Sequence, residues 1–197
     1  MNFMQNFAWG RPRGKKGGSM TEPDMLQVMA GYNRWMNERL YDVCAGMSDE
    51  ERKRDMKAFF GSIHKTFNHI LLADRVWLGR LAARPFEVHS LDQELYADFQ
   101  ALARERAMTD SEIEDTVSNL SPERLKEPIT YRSISRRQEA TLPCGLILLH
   151  MFNHQTHHRG QVTAIMSQLG RDFGVTDLIA FPGANHMLHS GGPRHER

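Results

Sequence analysis

Apolar residues at steps of three and four constrain this chain more than any other feature of it. Between Thr21 and Met47, the residues Met25, Val28, Met29, Tyr32, Trp35, Met36 and Leu40 fall on one stripe of an α-helix. The recurrence returns in Phe59, Phe60, Ile63, Phe67, Ile70, Leu71, Val76 and Leu78, then in Leu91, Leu95, Phe99, Leu102 and Met108, and again from Leu146 to Leu169. Segments with one apolar face each must bury those faces against one another, so the pattern predicts an all-α fold, a four-helix bundle. Ser48-Asp49-Glu50-Glu51 is a capping box that predicts a second helical stretch, running to about Ala83 and stopped by Pro85. The third helix is expected from near Leu91, with a break at Thr109-Asp110, and a short turn or helix at Ser121-Pro122. ITYRSISRRQEAT, residues 129–141, is rich in β-branched residues and alternates in polarity, which predicts a small hairpin before the last core helix. Pro143 suits a first helical turn and Gly170 a helix stop.

The ends read differently. Residues 1–19 hold glycines, a proline and the basic side chains Arg11, Arg13, Lys15 and Lys16 without apolar periodicity, and are expected to be a disordered basic leader. Residues 20–182 are expected to form the bundle, and 183–197 a disordered tail. A length of 197 residues suits one domain. The formal net charge of +1 favours neither nucleic acid nor an anionic membrane. Without an apolar run long enough to span a bilayer or the apolar core of a secretory signal, a cytoplasmic protein is expected. Cys44 and Cys144 make no disulfide framework.

The ten histidines carry the chemistry. Residues four apart on a helix lie one turn up the same face, about 6 Å along the axis, so two imidazoles at that spacing can meet one ion. His150, His154 and His158 form two such pairs, but the face drifts by about 40° over four residues, so all three cannot aim equally at one point. His157 lies about 100° round the helix from His158. A third ligand must come from another element, and the second helix offers His64 and His69, of which at most one can face the same point. Three neutral imidazoles leave a coordination position open to water or substrate. Among ten histidines, however, a pair at this spacing is common by chance, so spacing alone is a weak signal.

The words around the histidines are stronger. HMFNHQTHHRGQ from His150 to Gln161, FNHILLADRVWL from Phe67 to Leu78, YNRWMNERL from Tyr32 to Leu40 and the closing DLIAF together resemble the DinB-like (DinB/YfiT-like) family of damage-inducible, metal-dependent bacterial proteins. The resemblance implies a bundle with a long crossover, a homodimer, and one divalent metal ion (nickel, zinc or iron) held by His69, His154 and His158. His64 and His150 are then neighbours and not ligands. It also implies a small-molecule substrate, a low-molecular-weight thiol in the better understood relatives, handled by S-transfer or thiol-dependent isomerisation. Two other functions compete: a non-catalytic metal-binding stress protein, and a metal-dependent hydrolase. The last lacks an acidic residue within the His150–Gln161 words to serve as general base.

Asn33, Asn37, Asp74, Trp77, Arg159 and Gln161 are further candidates for contact with substrate, and Asn153 or Asp74 for orienting a ligand histidine. Against this, Trp35, Trp77 and the methionines at helical spacing suit core packing, and Cys144 a buried thiol. Because residues 1–19 have no apolar stripe to dock, their removal is expected to leave the melting temperature unchanged. A loss equivalent to about 1 kcal/mol in a thermal melt would show that they pack on the bundle.

Overall fold

The structure, a computed structural model, describes residues 20–185; the expected leader and the tail from residue 186 lie outside the described residues. The elements are α1 (Glu22–Ala45), α2 (Asp49–Lys53), α3 (Ile63–Leu81), α4 (Phe99–Ser118), α5 (Pro122–Lys126), β1 (Pro128–Arg132), β2 (Glu139–Pro143) and α6 (Cys144–Gln168), followed by 3-10 turns at Leu178–Ala180 and Pro182–Asn185. Long helices packed together, with one two-stranded hairpin among the described residues, agree with the expected bundle. Among the described residues no helix is long and apolar enough to cross a membrane.

Local chemistry sets the ends. Thr21 and Asp24 close a capping box on α1, and Ser48 and Glu51 another on α2. Ser62 caps α3 and Asp98 caps α4, each contact contributing about 1 kcal/mol. The expected continuous second helix is interrupted at residues 54–62. Asp55 Oδ1 accepts from the Lys57 amide at 2.9 Å, Lys57 (φ 58°) and Gly61 (φ 78°) turn left-handed, and Met56 N donates to Gly61 O at 2.7 Å. An aspartate that bonds its own backbone offers an alternative to the helix, and Gly61 accommodates the turn. Phe59 and Phe60 therefore lie outside any helix. Helix α4 begins later than Leu91 and runs through Thr109-Asp110 without the expected break, because Thr109 Oγ1 bonds back to Glu105 O at 2.8 Å and Asp110 turns inward. The hairpin is antiparallel, in register from Pro128↔Pro143 to Arg132↔Glu139.

Helix α1 packs on α4 and α6, and α3 packs on the same two, so α1 and α3 occupy opposite corners. At one end Phe67 of α3 and Phe99 of α4 both stack on Tyr41, at 4.2 and 5.7 Å between centroids; at the other end Leu78 meets the cluster containing Ile113. Helices α3 and α4 are therefore parallel neighbours. A connection between parallel neighbours must return the length of the first, about 28 Å for the 19 residues of α3, and residues 82–98 make that crossover. It folds back against α3 at Gly79, where a Cβ would lie 2.6 Å from Arg84 O. The C-terminal segment returns over α1: Phe181 seats on Gly31, where a Cβ would come within 2.9 Å of its ring.

Two apolar clusters fill the bundle, one around Met36, Leu40, Phe67, Leu102 and Met166, the other around Ala30, Leu78, Ile113 and Phe152. Between them every core helix turns polar side chains inward: Asn33 and Asn37 from α1, Asp74 from α3, Arg106 and Asp110 from α4, Gln155 and Arg159 from α6, all buried. Arg106 hydrogen-bonds Asp74 at 2.5 Å and forms an ion pair with Asp110 at 3.0 Å. Asp110 also accepts from Asn33 and Asn37, both at 2.9 Å, while Asn33 Oδ1 accepts from Arg159. Two arginines and two aspartates balance. Burial disfavours the charge on Arg106, yet Asp110 and Asp74 outweigh it and hold the guanidinium protonated. Replacing Asp110 with Ala strands a buried cation and should cost about 3–5 kcal/mol in urea unfolding; a loss under about 0.5 kcal/mol would show that the layer is not holding the helices together.

Candidate metal centre

Helices α3 and α6 run antiparallel, so His69 meets His154 and His158 near mid-length while Trp77 meets His150 further along. On α6 each of the two histidines precedes a residue of the buried polar layer. Gln155 and Arg159 turn into the bundle, which leaves His154 and His158 turned toward α3.

His69 Nδ1 lies 2.7 Å from Leu91 O in the crossover. A carbonyl only accepts, so Nδ1 carries the proton and Nε2 keeps its lone pair. The amide oxygen of Gln161 sits 2.8 Å from His158 Nδ1 and sets the same tautomer there. His69 Nε2 and His154 Nε2 face each other at 3.1 Å, and one nitrogen from each of the three histidines lies within 4.8 Å of the others. Nitrogens around a tetrahedral ion with 2.0–2.1 Å bonds are about 3.3–3.4 Å apart, so the cluster is close to a coordination shell without large movement. The donor set, three neutral imidazoles of which His69 and His158 have their outer nitrogens held by oxygen acceptors, suits a divalent transition metal.

Burial pushes the pKa of all three rings down, that of His154 to about 3, where His158 and His69 add to the effect. The rings are held neutral, the form that coordinates a metal. Phe60, presented by the 54–62 turn, stacks on His69 at 4.0 Å and lies 5.4 Å from His158, covering one side of the cluster.

The other candidates are placed elsewhere. His150 is exposed, its edge against Trp77 at 5.2 Å. His157 is exposed and takes a 3.3 Å contact from Gln161 Nε2. His64, expected as a neighbour of the ligands, is fully buried in the core and donates from Nε2 to Tyr96 O at 2.9 Å. Asp74, Asn33, Asn37 and Arg159 belong to the buried layer, and Asn153 is exposed. His89 is exposed; His186, His189 and His195 lie outside the described residues. Both cysteines are buried with raised pKa, Cys44 to about 12, so neither is a ready nucleophile. Sequence reasoning missed Leu91, whose role is a backbone carbonyl and leaves no mark in residue type, and Phe60, assigned to a helix stripe.

The sequence model of the DinB family matches residues 20–190. Protein DinB of Bacillus subtilis (strain 168) is 27% identical over 155 residues, covering 74% of this chain and 87% of that protein. The crystal structure of a DinB-like protein from Bacillus cereus ATCC 10987 superposes with a TM-score of 0.55 at 20% identity, over 72% of this chain and 90% of that one, which is a likeness of fold. With a family model spanning the whole bundle and the histidine helices, this chain belongs to the DinB family.

Proposed function

We propose that the protein is a metal-dependent enzyme acting on a small molecule, with His69, His154 and His158 holding a divalent ion. The observation that carries this reading is the convergence of three neutral imidazoles, two with their outer nitrogens already engaged by Leu91 O and Gln161 Oε1. Among the described residues no fourth histidine, cysteine or carboxylate joins the cluster. Three protein ligands leave the open position of a catalytic site, whereas a closed structural site takes four. Bound there, the metal supplies a Lewis acid that lowers the pKa of a coordinated thiol or water. The chain's own part is to fix the ring orientations through Leu91 and Gln161 and to shield one side with Phe60. Asp74, the carboxylate in the His69 helix, is committed to Arg106 and is not available as a general base for hydrolysis; Asp92 of the crossover, whose charge reaches His69, is the carboxylate a hydrolytic reading would call on.

In metal reconstitution followed by dialysis against a weak chelator, His69→Ala, His154→Ala and His158→Ala should each lose bound metal, while His157→Ala and His150→Ala keep it. Gln161→Leu should weaken affinity by about 10- to 100-fold through a freed His158 ring. Full occupancy in the His154 and His158 variants would sink the assignment.

The same neutrality makes stability depend on pH. The unfolded chain's histidines take up protons below about 6.5, while the folded rings, with depressed pKa, do not. The unfolded state then binds more protons, so this contribution is fully present above about 6.5 and is lost as pH falls toward the folded values. With chelator present, the urea midpoint should be lower at pH 5 than at pH 7.5, and His154→Phe should reduce the difference. An equal drop in parent and variant would show that His154 is not held neutral.

A further inference from the structure

Beyond the histidine cluster, the α3–α6 seam continues in a row of rings. The His150 ring is 5.9 Å from His154, Trp77 is 5.2 Å from His150, and Tyr131 of the hairpin is 4.9 Å from Trp77. The row ends at Arg80, whose Cζ sits 4.4 Å from the Trp77 centroid and 4.6 Å from that of Tyr131. Because the two rings meet edge-on, the guanidinium rests on one aromatic corner with its far side uncovered by either ring.

Arg80 lines a groove of about 870 Å³ between the end of α3, the hairpin and crossover residues 85–89. The same crossover reaches Leu91, whose carbonyl holds His69, so it borders both the groove and the cluster. Among the described residues Arg80 has no carboxylate within ion-pair distance, and its one hydrogen bond uses Nη2, to Arg132 O at 2.9 Å. Other charges face the groove. Arg124 is paired with Glu127, while Arg132, Glu87 and His89 are exposed. Position in the last turn of α3 gives Arg80 a helix-dipole reason to be cationic, but no reason to leave its other donors without an acceptor.

We propose that Arg80 anchors an anionic group, carboxylate or phosphate, on a substrate whose reacting end lies at the histidine cluster. This rests on the functional reading above and narrows it to elongated acids, which would run from the groove along the ring row of Trp77 and His150 to the cluster.

Two arms test the inference separately from the metal reading. Metal-free protein is titrated with hexanoate, hexyl phosphate and hexanol, followed by the Arg80 Nε–H and Trp77 indole signals in NMR. At least one anion should bind about tenfold or more tighter than the alcohol, identifying which anion fits. Arg80→Gln, checked for an unchanged fold by thermal melt, should erase the preference, and Arg80→Lys should keep part of it. No preference for either anion, or a preference unaltered in Arg80→Gln, would overturn the proposal and leave Arg80 as a clamp on the hairpin. In the second arm, cobalt-loaded protein is titrated with 6-mercaptohexanoate and 6-mercaptohexanol, and the thiolate-to-cobalt absorption band is read. The acid should develop the band at about tenfold lower concentration, and Arg80→Gln should equalise the two. Equal affinities with a normal band reject the anchor; failure of cobalt to bind rejects the metal reading, and the first arm still decides on Arg80.

Discussion

The ion-paired layer through the middle of the bundle is what the rest of the structure depends on. Apolar faces at three- and four-residue steps specify that helices pack, but they tolerate a slip by one turn, since another apolar residue takes each vacated place. A layer built from Asn33, Asn37, Asp74, Arg106, Asp110 and Arg159 does not tolerate it, because any slip leaves charge buried without a partner. The histidine cluster inherits this register. His154 and His158 each sit one residue before a member of the layer, so the burial of Gln155 and the bond of Arg159 to Asn33 also fix how far along α3 the two imidazoles meet His69.

Topology adds the second constraint. Parallel packing of α3 and α4 obliges the chain to travel back along the bundle, and that return passes over the face of α3 carrying His69 and Arg80. A short antiparallel turn would leave both side chains open to water. The crossover is thus a wall of the site as well as a connection, closed down on α3 where Gly79 has no side chain.

Much of this was legible in the sequence. The apolar stripes gave the helices because burial of one face is a local periodic signal, and His69, His154 and His158 were singled out from the motif words in which they sit, the residues the structure brings together. What was not legible shares a cause. The interruption at 54–62 depends on one aspartate bonding its own backbone, and Phe59 and Phe60 happen to continue the apolar spacing across it. The unbroken α4 depends on where Asp110 points, which Asn33 and Asn37 of α1 decide together with Arg106 one turn earlier on α4. The Leu91 carbonyl is present in every residue, so no spacing could announce it.

That carbonyl has a thermodynamic consequence. Leu91 lies in an exposed stretch without regular secondary structure, the kind of segment that opens locally at low free-energy cost. Each opening removes the acceptor that holds the His69 ring, freeing it to turn. The precision of the cluster is therefore bounded by the opening equilibrium of the crossover. By reciprocity, whatever immobilises the His69 ring also suppresses that opening, coupling order in a surface loop to occupancy of a buried seam.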